Sequence, residues 1–251
     1  MKITKSKKAL LGFAASTVLV LSACGDDSSN NSNIPYAADG PMYGVSYVAP
    51  VYGVSNYDVS YTERENYEEE FYIKEIPDDI YEGLKNIFEQ EDCPVTREDL
   101  RYLHILYRGD HGASREGGML VHKHIAKDVL EIMQKLYEEK YLFNSVQLPD
   151  AYDDDSIKNM MDQGNSYGFL YQSEIDSKEE IKHLVGFAID LQPVNEFYED
   201  TQNSQIKELI EIFKEHHFNW RDDKRGSDFY LHFEKPDSDV ETWYPGILNE
   251  E

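Results

Sequence analysis

The first 62 residues carry no pattern from which a core can be built, so whatever folds in this 251-residue chain lies beyond about Glu63. Asp26-Asp27-Ser28-Ser29-Asn30-Asn31-Ser32-Asn33 is polar throughout and has no apolar surface to offset the entropy of ordering it. A degenerate tyrosine repeat follows: Tyr43-Gly44-Val45-Ser46-Tyr47, Tyr52-Gly53-Val54-Ser55-Asn56-Tyr57 and Asp58-Val59-Ser60-Tyr61. Glycine and proline interrupt it too often for a long helix or a central strand. Residues 25–62 therefore read as a flexible Tyr/Ser/Asn-rich tether. Residues 63–251 are long enough for one domain of ordinary size.

Residues 1–24 have a different character. Lys2, Lys5, Lys7 and Lys8 precede an apolar run from Ala9 to Leu21, interrupted by Gly12, Ser16 and Thr17. The run is shorter than the ~20 residues that span a bilayer. A charged start, a short apolar core and a small-residue exit describe a signal peptide. The exit, Leu21-Ser22-Ala23-Cys24-Gly25, resembles the lipobox of bacterial lipoproteins, in which the cysteine is acylated and becomes the mature N-terminus. That resemblance implies export and attachment to a membrane through lipid on Cys24. Each buried methylene adds about 0.8 kcal/mol, so several acyl chains hold a protein firmly.

Without those four lysines, 20 of the 24 Lys+Arg remain against 49 Asp+Glu, a net charge of −29. Such a charge repels nucleic acid and anionic lipid surfaces, so no nucleic-acid partner is expected, and its plain reading is solubility. With Cys24 acylated, Cys93 is the remaining cysteine, so no internal disulfide forms. No partner motif surrounds Cys93, and it reads as a small packed residue.

Within residues 63–251 the clearest element is a helix over Ile125–Tyr141, where Ile125, Val129, Ile132, Met133, Leu136 and Tyr137 recur at helical spacing. Ile206–Phe213 repeats the pattern with Ile206, Leu209, Ile210 and Phe213. Ser156–Met161 reads as a short helix. Arg101–Tyr107, Ser145–Leu148, Tyr167–Tyr171, Val185–Leu191 and Phe229–Phe233 read as strands. Helices and strands mix without a regular βαβ repeat. The expectation is an α+β fold, a small mixed sheet with flanking helices.

One stretch carries chemistry. In His183-Leu184-Val185-Gly186-Phe187-Ala188-Ile189-Asp190, a histidine and an aspartate punctuate an otherwise apolar run. A buried aspartate is costly unless it is paired or metal-bound. On a straight strand His183 and Asp190 would face opposite sides. A turn at Gly186 removes that obstacle, with His183 on the entering loop and Asp190 on the strand. In Phe229-Tyr230-Leu231-His232-Phe233-Glu234, alternation puts Tyr230, His232 and Glu234 on one face. His183, Asp190 and His232 together are a donor set that suits zinc and leaves one position for water.

His183 to Asp190 resembles the His-x-x-Gly-x-Ala-x-Asp signature of the VanY-like D-alanyl-D-alanine carboxypeptidase family of zinc peptidases. Leu191-Gln192-Pro193-Val194-Asn195 is similar to that family's Ile-Asn-Pro-Leu-x stretch. Phe218-Asn219-Trp220 resembles its Phe-x-Trp, and His232-Phe233-Glu234 its closing His-Phe-Glu. Upstream, Val121–Ile132 is similar to a helix of that family, with Lys123, Ile125, Ala126, Asp128, Val129, Leu130 and Ile132 following its Lys-x-Ile-Ala-x-Asp-Val-Leu-x-Ile. The likeness runs from about Leu100 to Glu234. It implies an α+β fold, one zinc on His183, Asp190 and His232, and cleavage of peptidoglycan stem peptides.

Three positions depart from the family pattern. Ile181 stands where a serine is usual, Gln172 in the slot of a substrate-binding arginine, and Phe229 in the slot of the general base. Asp228, one residue earlier, is the candidate catalytic base, and Glu234 is the alternative. The departures leave room for a second function, a homologue that binds wall peptide or a protein partner without cutting. His122 and His124 read as exposed residues at a helix entry. His216-His217 suits the end of an acidic helix. Asp153-Asp154-Asp155 lacks the spacing of a calcium loop and reads as a solvated turn.

The N-terminal reading predicts that Cys24→Ser abolishes labelling by a fatty-acid probe and moves the protein from the membrane to the soluble fraction. Unchanged labelling of that variant would exclude lipid at Cys24.

Overall fold

The computed structural model describes residues 64–91, 93–149, 154–172, 177–194, 204–221 and 230–249. Cys24, the expected signal segment and tether, Asp228 and Phe229 lie outside the described residues. The elements run in the order β1 (Tyr72–Lys74), α1 (Asp78–Phe88), β2 (Leu100–Arg108), β3 (Ser114–His122), α2 (Ala126–Glu138), α3 (Asp154–Asp162), α4 (Lys178–Leu184), β4 (Ala188–Leu191), α5 (Ser204–Glu215), β5 (Asn219–Arg221), β6 (Leu231–Glu234) and α6 (Asp237–Trp243). No helix among the described residues is long and apolar enough to cross a membrane.

The class is α+β, as the mixed pattern predicts. Instead of one mixed sheet, the described residues form two small antiparallel ones, ordered β1-β2-β3 and β4-β6-β5. The reason lies in the chain between them. Residues 142–146 and 165–170 touch their neighbours through single bridges, Arg108 with Leu142, Phe143 with Pro193, Ser145 with Asn165 and Tyr167 with Asp190. The expected strands Ser145–Leu148 and Tyr167–Tyr171 therefore do not form ladders. Along residues 166–170, Ser166 N–H donates to Ser145, Tyr167 to Asp190, Phe169 to Leu120 and Leu170 to His183. The β-prone composition is real, but its hydrogen bonds are divided among four partners.

α2 and α5 lie where their apolar stripes predict. Val129, Ile132, Met133 and Leu136 of α2 and Leu209, Ile210 and Phe213 of α5 are buried in one continuous core. Each large apolar side chain removed from water is worth about 1.5–3 kcal/mol. Phe213 stacks on Phe233 of β6 with ring centroids 3.6 Å apart, tying α5 to the second sheet. β2 and β3 form the long hairpin of the first sheet, with Leu100 opposite His122 and Arg108 opposite Ser114. Cys93 is half-buried, its Sγ 3.4 Å from the Val95 carbonyl.

His122 corrects the expectation of exposure, while His124 is exposed as expected. His122 ends β3 and is buried, its ring stacked on Phe187 with centroids 4.4 Å apart. The backbone N–H of His124 donates to its Nδ1 at 3.3 Å, so the ring proton sits on Nε2 and meets the Tyr244 hydroxyl at 3.1 Å. A second proton at Nδ1 would point into that N–H. Burial, with His124 nearby, pushes the His122 ring down to about 3.

An unfolded histidine titrates near 6.5, so below that pH the unfolded chain takes up a proton that the folded ring refuses. Stability is full above pH 6.5 and falls as pH drops toward 3, by up to about 1.4 kcal/mol per pH unit from this group. Equilibrium denaturation of the metal-free protein between pH 6.5 and 4.5 should show that slope, and His122→Gln should flatten it. The same slope in the variant would remove His122 as its source.

Candidate metal centre

His183 sits in the last turn of α4, not on a loop. Ser177 starts this helix with a capping box, accepting from Glu180 N–H while the Glu180 carboxylate takes the Ser177 N–H at 3.0 Å. Gly186, at φ +71°, ends it. Gly186 N–H donates to the His183 carbonyl and Phe187 N–H to that of Lys182, the Schellman pattern that needs a left-handed residue. A Cβ at Gly186 would stand 2.7 Å from the backbone nitrogen of His122. The turn expected at Gly186 is present, and it leads straight into β4.

β4 runs antiparallel to β6 with Asp190 directly opposite His232. The three candidate ligands converge. His183 Nε2 lies 3.3 Å from Asp190 Oδ1, and His232 Nδ1 lies 2.7 Å from the same oxygen. All three residues are at most 3 % exposed. His183 Nε2 is a buried nitrogen without a hydrogen bond. Its partner nitrogen Nδ1 donates to the Gly168 carbonyl at 2.6 Å, which leaves the lone pair on Nε2. Gly168 must be glycine to approach this closely, because a Cβ there would be 2.5 Å from the Leu120 carbonyl. Tyr167 donates its hydroxyl to Asp190 Oδ2 at 2.6 Å, leaving Oδ1 to face the histidines.

Behind His232 is a second set of charges. His232 Nε2 meets Glu234 Oε2 at 3.1 Å. Glu234 Oε1 is 3.0 Å from the Nζ of buried Lys182 and 3.3 Å from Arg221 Nε. Lys182 also contacts Asp237 at 2.6 Å, and Arg221 pairs with Glu179.

Burial alone would raise the Asp190 carboxyl, but His183 and His232 hold it well below the usual carboxylate range. Burial would depress the His232 ring, yet hydrogen bonds to Asp190 and Glu234 outweigh it and push the ring up to about 9. Burial likewise opposes ionisation of Glu234, and His232, Lys182 and Arg221 keep it at about 2. These two hydrogen bonds favour the protonated ring of His232 between the two carboxylates.

The donor set fits a divalent cation. Ligands at about 2.0–2.2 Å in a tetrahedron stand roughly 3.4 Å from one another. The His183–Asp190 separation of 3.3 Å already matches, and the shorter His232–Asp190 contact is a hydrogen bond whose proton a cation would replace. Among the described residues Asp128, Glu131 and His216 also cluster, partly exposed. There Lys235 Nζ already holds Asp128 at 2.8 Å and Lys127 holds Glu131 at 3.0 Å.

Of the other sequence candidates, Gln172 is half-buried on the extended chain beyond Leu170 and is not among the described residues bonded to the triad. Asp228 and Cys24 lie outside the described residues. Sequence reasoning missed Tyr167 and Lys182. No family model, curated protein or solved structure matches the chain.

The convergence predicts about one equivalent of divalent metal per chain by elemental analysis after dialysis. His183→Ala and His232→Ala should each lose it. Because His232 must release its Nδ1 proton to act as a ligand, affinity should fall as pH drops. Full metal retention by both variants would rule out this site.

Proposed function

We propose that the chain is an exported, lipid-anchored zinc peptidase of the VanY-like type, acting on peptidoglycan stem peptides. The observation that carries this reading is the meeting of His183 Nε2, Asp190 Oδ1 and His232 Nδ1 at one buried point. The sequence likeness from Leu100 to Glu234 supports it. Zinc, when bound there, supplies a Lewis acid and lowers the pKa of its water.

The protein's own groups then divide the work. Asp190 gives the ligand set a single negative charge, and Tyr167 holds that carboxylate in place. Glu234 is poorly suited to be the general base. It lies on the Nε2 side of His232, away from the convergence point, and its other oxygen is held by Lys182. Asp228 is the base in this reading. Gln172 offers the scissile carbonyl a neutral amide donor in the slot where the family has an arginine.

A second reading keeps the metal and drops the cleavage. The near-complete burial of all three ligands favours it, as do Gln172 and Phe229. The test uses stem peptides ending in D-Ala-D-Ala and cross-linked wall fragments. Asp228→Asn should lower kcat/KM by about 10²–10⁴-fold with metal content unchanged. Gln172→Arg should raise activity by adding charge where an oxyanion develops. If the wild type binds a fragment and cuts none, the binding reading replaces the enzymatic one.

A further inference from the structure

We infer that Glu234, held by Lys182, is a positioning residue that selects which nitrogen His232 offers to the metal, so that the two histidines bind through opposite ring atoms. The inference rests on the zinc reading above.

The two rings are fixed differently. His183 has its Nδ1 committed to the Gly168 carbonyl and its Nε2 free. His232 has its Nε2 against the Glu234 carboxylate and its Nδ1 facing Asp190 Oδ1. A neutral imidazole has one N–H and one lone pair. When the Nδ1 proton leaves, the remaining proton stays on Nε2, where the carboxylate accepts it, and the lone pair falls on Nδ1. A carboxylate behind a ligand histidine also raises its basicity.

Lys182 makes this arrangement rigid. It is the residue next to His183 on α4, and its Nζ reaches Glu234 Oε1 on β6, Asp237 Oδ1 on α6 and the Lys235 carbonyl. The ammonium thus joins the helix carrying one ligand to the strand carrying the other. With Oε1 engaged by Lys182, Oε2 is left for His232.

The experiment uses the purified full chain and zinc alone. Competition with a chromophoric chelator measures affinity, circular dichroism checks the fold, and nitrogen-15 spectra of zinc-loaded wild type report the tautomers. His232 should show Nδ1 bound to metal and a proton on Nε2, with His183 the reverse. Glu234→Gln keeps the shape and removes the charge, and should weaken zinc binding about 10–100-fold. Lys182→Met should weaken it in the same direction. Metal on Nε2 of His232, or wild-type affinity in either variant, would overturn the inference while leaving the zinc reading intact. A wild type that binds no zinc would overturn both.

Discussion

The Asp190 carboxylate is the interaction on which the architecture of the second sheet turns. It is a charge almost wholly removed from water, and such a charge is tolerated when enough donors surround it. Two groups donate to it, Tyr167 on one oxygen and His232 on the other, and His183 stands beside that second oxygen. Each comes from a different part of the chain. The β4–β6 register, the end of α4 and the path of residues 165–170 must all be right at once. A one-residue slip of β4 would turn Asp190 to the opposite face and strand the carboxylate. The site therefore specifies the local fold as much as the fold positions the site.

Two glycines make that convergence sterically possible. Gly186 reverses the chain between the helix carrying His183 and the strand carrying Asp190, and its carbonyl also accepts from His122 N–H. Gly168 brings a carbonyl within reach of His183 while its own backbone lies against Leu120. Both positions couple the candidate centre to β3 of the first sheet. The irregular chain between the sheets is thus a structural part of the site. Its backbone groups spend their hydrogen bonds on several neighbours instead of one ladder.

Long, strongly patterned elements were legible in the sequence, as were the chemically costly residues. β2, α2 and α5 follow from periodicity, and the triad follows from an aspartate that had no reason to sit in an apolar run. α4 was not read, though Ser177 and Glu180 stand at capping-box spacing. At seven residues the helix is too short to display an apolar stripe, and the following β-like run dominates the window. His122 was misjudged because Lys123 and His124 beside it are polar. Its burial comes from Phe187 and Tyr244, far along the chain. Lys182 looked like an ordinary charged helix residue. Only the placement of α6 and β6 gives its ammonium the partners that make burial tolerable.

The charge pattern around the centre has its own logic. The chain is strongly acidic, with 49 Asp+Glu against 24 Lys+Arg, but at physiological salt a charge is screened over about 8 Å, so only nearby groups set the potential at the ligands. There the balance is close. Lys182 and Arg221 face Glu234, Glu179 and Asp237, so the groups behind His232 largely neutralise one another. What remains at the convergence point is Asp190 with two histidines. The hydrogen bond between His232 and Asp190 favours a positive charge on the ring beside that carboxylate. In the zinc reading, a dication takes over that duty and leaves a net positive centre facing the water position. In that reading the exchange is one proton for one cation.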